Sequence, residues 1–280
     1  MTNKDQNSAE KIAGFEHFEI DVVIPLGPSK RDRETMHPLS LYVPKPLAPI
    51  GTRPMIWRIL TQISRIENRI NTVHLLIQKH RGTKDWMMVK KYLQDMADLP
   101  ICQKFSIKIN EGEMLCDEIS HLEFKSPHFL MHFDDILLPN DAGLFFEELI
   151  RFHLREEKKN GIIGTLAYSR WYPLEIGLIK QSEEEHRMYS LEEKSPMALG
   201  QLLHRVGRAI EEVCINMAIS VFSTQINQYL EGKDSNFYKN IAELKGVQFG
   251  IYECRGEWYH VDTIRELYEQ HVKNFKRWVD

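Results

Sequence analysis

Short apolar runs rich in β-branched residues alternate with amphipathic segments over the first half of the chain. "EIDVVIPLG" (19–27) runs apolar into a glycine, as a buried strand does. "INTVHLLIQ" (70–78), "KFSIKIN" (104–110) and "HFLMHFDDILL" (128–138) read the same way, the last interrupted by two acids near its end. Between them, "RPMIWRILTQISRI" (53–66) has apolar positions at helical spacing and a proline near its start, where a helix tolerates one. "TKDWMMVKKYLQDMA" (83–97), with Thr83 as N-cap, "GEMLCDEISHLEF" (112–124) and "AGLFFEELIRFHLREE" (142–157) complete the helices. This strand–helix alternation predicts an α/β fold with a mixed, mostly parallel central sheet flanked by helices.

The second half is more mixed. "GIIGTLAYS" (161–169), "LEIGLIKQ" (174–181), "EHRMYSLEEK" (185–194) and "VCINMAISVFS" (213–223) read as strands, the second and third as a meander. "ALGQLLHRVGRAIEE" (198–212) fits helix or loop, and "TQINQYL" (224–230) a short helix. "VQFGIYECRGEWYHVD" (247–262) predicts two strands turned at Arg255 and Gly256, and "TIRELYEQHVKNFKRWV" (263–279) a terminal amphipathic helix. No linker interrupts the pattern. The expected organisation is a polar tail over 1–17 and one domain over 18–280, with a β-rich part over about 161–262.

Composition narrows the function classes. The 280 residues carry 36 Lys+Arg against 40 Asp+Glu, a formal net charge of −4, which argues against a general nucleic-acid binder. The four cysteines, Cys102, Cys116, Cys214 and Cys254, are scattered without a C-x-x-C pair, so neither a zinc knot nor a disulfide framework is expected. The N-terminal stretch is polar and lacks the apolar core of a secretory signal, and no run reaches the length of a membrane span. A cytoplasmic protein without membrane contact is the expectation. Trp57, Trp86, Trp171 and Trp278 are assigned to packing.

Candidate chemistry falls in three places. The first strand ends at Gly27, and a long polar loop follows with Lys30, Arg31, Arg33 and, further on, Lys45. Ligands of open α/β sheets bind outside the carboxyl ends of strands, and such cations would neutralise a polyphosphate. By itself the front of the loop reads better as a solvated charged segment. Asp134 and Asp135 stand near the end of an apolar strand, where carboxylates could hold magnesium or simply finish the strand. His260 and Asp262 stand two apart in "GEWYHVDTIREL" and would share a face in an extended segment; alternatively Asp262 caps the last helix, with Glu266 close behind.

Taken in order, these pieces resemble the sugar nucleotidyltransferases, or nucleoside-diphosphate-sugar pyrophosphorylases. Their signature follows a first strand with G-x-G-T-R, then P-L-T and P-K-P-L-x-P-[IV]-x-x-[KR]-P, which "HPLSLYVPKPLAPIGTRPMI" follows closely over 37–56. A later G-D is matched by "HFDD", E-K-P by "EEKSP", N-A-G by "INMAIS", and a final G-x-W-x-D-[IV]-G-T by "GEWYHVDT". The resemblance runs from about residue 21 to 268. It implies a Rossmann-like, GT-A-like fold and the reaction NTP + sugar 1-phosphate → NDP-sugar + pyrophosphate, with Mg2+ as cofactor.

Residue by residue, the resemblance gives Lys45 the phosphate contacts and Asp135 the first magnesium ligand. Gly27, Ser29, Gly112 and Asp134 fall on the nucleotide side, Gly112 beside the base. Lys194 holds the sugar phosphate, Glu193 and Asn216 lie on the sugar side, and Gly177 falls in the sugar pocket. The departures are equally specific. The glycine loop is longer and lacks its second glycine. Ser29 takes that place if Arg31 is the signature arginine; Arg33 or Thr35 are the alternatives. "GEM" stands for the family's G-T-A. His260 replaces the second metal-binding aspartate, and an imidazole is a poor magnesium ligand. The expectation is that Asp262 compensates from the same face, so that Asp135, Asp262 and His260 form the candidate metal group.

Three functions follow: a divergent nucleotidyltransferase, a non-catalytic relative that binds nucleotide or nucleotide-sugar and regulates a partner, and, last, a GT-A glycosyltransferase, which PKPL disfavours. Ending just after the last helix, the chain resembles the short pyrophosphorylases, which implies a homodimer or homotetramer.

Overall fold

The computed structural model describes residues 18–27, 34, 36–79, 85–96, 99–134, 136–138, 140, 142–169, 178–181, 188–192 and 214–278; for 178–181, 188–192, 214 and 273 it gives the backbone alone. Its centre is a parallel sheet. Strand β1 (Ile20–Leu26) is flanked on one side by β4 (Ile70–Gln78), which pairs with β5 (Ile107–Gly112), and on the other by β6 (His128–His132), all parallel. Beyond β6 the sheet turns antiparallel through β11 (Cys214–Ser223), which also pairs with β8 (Gly164–Ser169) and β9 (Leu178–Gln181). β9 and β10 (Met188–Glu192) form the expected meander. The mixed, largely parallel α/β sheet is thus the one the hydrophobic pattern predicts.

Both faces of this sheet are buried, which is why its strands read as nearly continuous apolar runs. Val22, Ile24 and Leu26 of β1 face one core with helix α1 (Met55–Ile63), helix α2 (Asp85–Asp95) and the long helix α5 (Ala142–Asn160). Val23 faces the other, with Phe129, Met131 and the short helices α4 (Leu115–Ser120) and α6 (Phe237–Ala242). In α1 the buried Met55, Ile56, Ile59, Leu60 and Ile63 make one stripe. Each such side chain contributes roughly 1.5–3 kcal/mol on burial. α5 buries Phe146, Leu149, Ile150 and His153 at helical spacing.

Several elements depart from the pattern. The run 128–138 is two strands: β6 ends at His132, and β7 (Ile136–Leu137) leaves the main sheet. The segment 247–262 is not a hairpin. β12 (Phe249–Glu253) runs parallel to β8, and β13 (Tyr259–His260) crosses to pair with β7. Alternation cannot tell a hairpin from two strands with distant partners. The helix expected over 112–124 begins only at Leu115, because Gly112 completes β5. The terminal helix is broken into α7 (Ile264–Tyr268), a wide turn over Glu269–Lys273 and a tight one over Phe275–Arg277. A short four-residue helix, α3 (Pro100–Gln103), and α6 were not legible; α6 is capped by Asn236, whose side chain accepts from Lys239 N. Thr83 and the segment 198–212 lie outside the described residues. Among the described residues no helix is long and apolar enough to cross a membrane.

Candidate active site

The PKPL stretch folds as a single tight turn, Lys45–Leu47, entered from extended Pro44 and followed by the tiny hairpin β2 (Pro49–Ile50) and β3 (Arg53–Pro54). Two prolines around Lys45 restrict the backbone, so the turn is set locally. Arg58 of α1 then ties this region to the end of the chain: its guanidinium donates to Ile50 O at 3.1 Å, to Thr52 Oγ1 at 3.2 Å and to the carbonyl of Trp278. The C-terminal segment is thereby held against the PKPL turn.

That docking delivers the main feature of the site. Lys45 Nζ donates to Asp262 Oδ1 at 2.7 Å, with the two residues only 4% and 6% exposed. A buried ammonium is tolerable only beside a carboxylate, and each partner's desolvation makes removal of the other costly. Alternation put Asp262 and His260 on one face; in the structure the Asp262 carboxylate reaches the PKPL lysine.

His260 goes elsewhere. Its Nδ1 lies 3.7 Å from Glu266 Oε1. Glu266 also accepts from Asp262 N at 2.8 Å and Thr263 N at 2.9 Å, closing a capping box with Thr263. The helix cap is therefore Thr263 and not Asp262. Burial opposes ionisation of Glu266, but the imidazole and these donors outweigh it and hold the carboxyl below its ordinary value.

Backbone pairing brings the strand after Asp134 beside the segment of His260. β13 sets His260 opposite Ile136, one residue beyond Asp135. Asp134 is buried just after β6. Asp135 itself lies outside the described residues, as do Ser29, Arg31, Arg33, Gly177, Glu193 and Lys194.

Asn216 is buried in β11, where the register with β8 shifts between Asn216 and Ser220. Its Oδ1 accepts from Ala218 N at 3.1 Å. Ala218 has φ +54°, a left-handed value that favours glycine. It falls at the glycine position of the N-A-G pattern. The bulge touches the acid segment directly, since Phe133 N donates to Ala218 O at 3.3 Å.

Gly27 and Gly112 are each covered by a side chain. A Cβ on Gly27, at the end of β1, would fall 2.3 Å from Gln78 Oε1. One on Gly112 would fall 1.8 Å from the Glu118 carboxyl group. Gln78 and Glu118 carry no motif and were not singled out from sequence; their closeness follows from β4 pairing β1 and from α4 folding back on β5. Burial, and the neighbouring Asp117 charge, push the Glu118 carboxyl up.

The arrangement defines a class of fold. No protein-family model matches the chain. Its fold is that of the sugar-1-phosphate nucleotidyltransferases, as the motif resemblance implied. A UDP-glucose pyrophosphorylase complexed with UDP-glucose matches with a TM-score of 0.67 at 12% identity, over 93% of this chain and 100% of its own. The UTP-bound UGPase of Acinetobacter baumannii matches at 0.60 and 16% identity, over 90% and 92%. The inositol-1-phosphate CTP transferase of T. maritima matches at 0.62 and 13%, over 94% and 96%. By sequence, the chain is 24% identical over 196 residues to the mannose-1-phosphate guanylyltransferase regulatory subunit alpha of Dictyostelium discoideum. That match takes in 65% of this chain and 42% of the relative, so the chain spans less than half of that protein's length.

Proposed function

We propose that this protein transfers a nucleotidyl group from an NTP to a sugar 1-phosphate, giving an NDP-sugar and pyrophosphate. The observation that carries this reading is the 2.7 Å contact between Lys45 and Asp262. A carboxylate two residues beyond the position of the family's aspartate reaches the PKPL lysine, which supports the reading that Asp262 answers for the change at His260.

In the proposed reaction a sugar-phosphate oxygen attacks the α-phosphorus in line and pyrophosphate leaves. Catalysis of this kind rests on positioning and charge stabilisation. In this reading Lys45 serves the phosphates together with the loop cations Arg31 and Arg33, and Gly27, Ser29, Gly112 and Asp134 serve the nucleotide side. Lys194, Glu193, Asn216 and Gly177 serve the sugar phosphate. The donor chemistry of Asp262 suits a hard cation, whereas His260, turned to Glu266, does not. Magnesium held by Asp135 and Asp262 would neutralise phosphate charge. The reading carries a cytoplasmic setting and self-association as a homodimer or homotetramer.

A second reading has its own support: the curated relative bears the name of a regulatory subunit. A chain that binds nucleotide-sugar without turnover would keep Lys45 engaged with Asp262 throughout.

The test incubates the protein with Mg2+, a panel of NTPs and a panel of sugar 1-phosphates, and measures pyrophosphate. A matched pair yielding pyrophosphate is expected, with Lys45→Ala and Asp262→Ala each slowing turnover about 100-fold or more. Full activity in Asp262→Ala would remove the compensating role of that residue. Tight binding of an NDP-sugar with no turnover from any pair would replace the first reading by the second.

A further inference from the structure

At the opposite end of β6 from the acid pair, a second cluster of ligating groups has no place in nucleotidyl transfer. His128 opens the strand, and His153 and Glu157 lie one helical turn apart on α5. One ligand atom from each of the three lies within 4.8 Å of the other two. His128 Nε2 is 2.7 Å from Glu157 Oε2. The two imidazoles meet edge to face, with ring centroids 5.4 Å apart.

The independent observation is His153. It is 0% exposed, and its Nδ1 is fixed 3.0 Å from Thr165 Oγ1 of β8. Its Nε2 is fully buried with no hydrogen-bond partner. A buried polar atom left unmatched is costly and calls for an explanation. With Nδ1–H donating to Thr165, the Nε2 lone pair is available to a cation, and the threonine supplies the outer hydrogen bond that orients a metal-binding imidazole.

We propose that His128, His153 and Glu157 form a binding site for a borderline transition-metal cation of the zinc class, joining α5 to β6 and β8. Two imidazoles and one carboxylate suit zinc, cobalt or nickel rather than magnesium. Around an ion with bonds of about 2.0–2.2 Å, tetrahedral ligand atoms stand about 3.4 Å apart, so closure takes side-chain adjustments of about an ångström. His128 and Glu157 lie nearer the surface than His153, with side chains 14% and 28% exposed, which leaves solvent access for a water as fourth ligand. The H-x-x-x-E spacing was present in the sequence, but nothing there connected it to His128.

The test titrates untagged, chelator-treated protein with Co2+ and then Zn2+. One Co2+ per chain is expected, with the visible absorption of a low-coordinate site, displaced by Zn2+, and Zn2+ raises the melting temperature. Glu157→Gln and His128→Ala, both nearer the surface than His153, are each expected to weaken binding about tenfold or more and to abolish the melting shift. Absence of stoichiometric binding by the wild-type chain overturns the site. So does binding unchanged in both variants, which would assign the metal to another place.

Discussion

Lys45 and Ala218 each hold a state that is unfavourable in isolation. The Lys45 charge sits where only 4% of the residue meets solvent, and the Asp262 carboxylate is what keeps it there. Because neither partner is well solvated, removing either one would leave the other's charge buried and uncompensated. Ala218 holds a left-handed φ of +54° at the bulge beside the acid segment. An L side chain with a Cβ resists that region, whereas glycine enters it freely. The Ala218→Gly variant is therefore expected to gain about 0.5–1 kcal/mol in denaturant unfolding, the strain relief exceeding the extra entropy of the unfolded chain. A loss of stability would show that packing of the methyl group outweighs the strain.

Among the elements, α7 decides where Asp262 stands. Its capping box ties Thr263 and Glu266 together, and Glu266 also fixes the Asp262 amide. Thr263→Ala is expected to cost about 1 kcal/mol in chemical denaturation. Burial opposes ionisation of Glu266, but His260 and the capping donors prevail, so the folded pKa lies below the ordinary 4.5. A depressed carboxylate stabilises the fold above its unfolded value, and the contribution is lost as pH falls through the folded one. Glu266→Gln should flatten stability against pH on the acid side while leaving the neutral region sloped as before. An unchanged acid limb would remove this group from the account.

For the whole molecule, the two cores on either side of the sheet enclose the thiols the structure describes. Burial raises the pKa of Cys102 and pushes Cys116 and Cys254 up to about 11, so at neutral pH the reactive thiolate is scarce as well as shielded. Alkylation of these three in the native protein is expected to be slow and to become complete on unfolding, read residue by residue by mass spectrometry. Rapid native labelling of Cys116 would mean that the core around α4 opens far more readily than its packing indicates.

Much of this was legible beforehand. The parallel centre of the sheet could be read because strands buried on both faces are nearly continuously apolar; the tight turn at Lys45–Leu47 was read only as part of a long loop. The crossing of β13 to β7, the break between β6 and β7 and the broken terminal helix were not legible, since each depends on a partner distant in the chain. The same division holds for the candidate chemistry. Sequence alone determined which acids, lysines and imidazoles are present and in what order, because motif spacing is a local property. Tertiary structure decided that Lys45 meets Asp262 across 217 positions, that His260 turns to Glu266, and that His128 joins His153 and Glu157. Those contacts exist only once the sheet and α5 pack, for pairing and burial choose neighbours that no local spacing specifies.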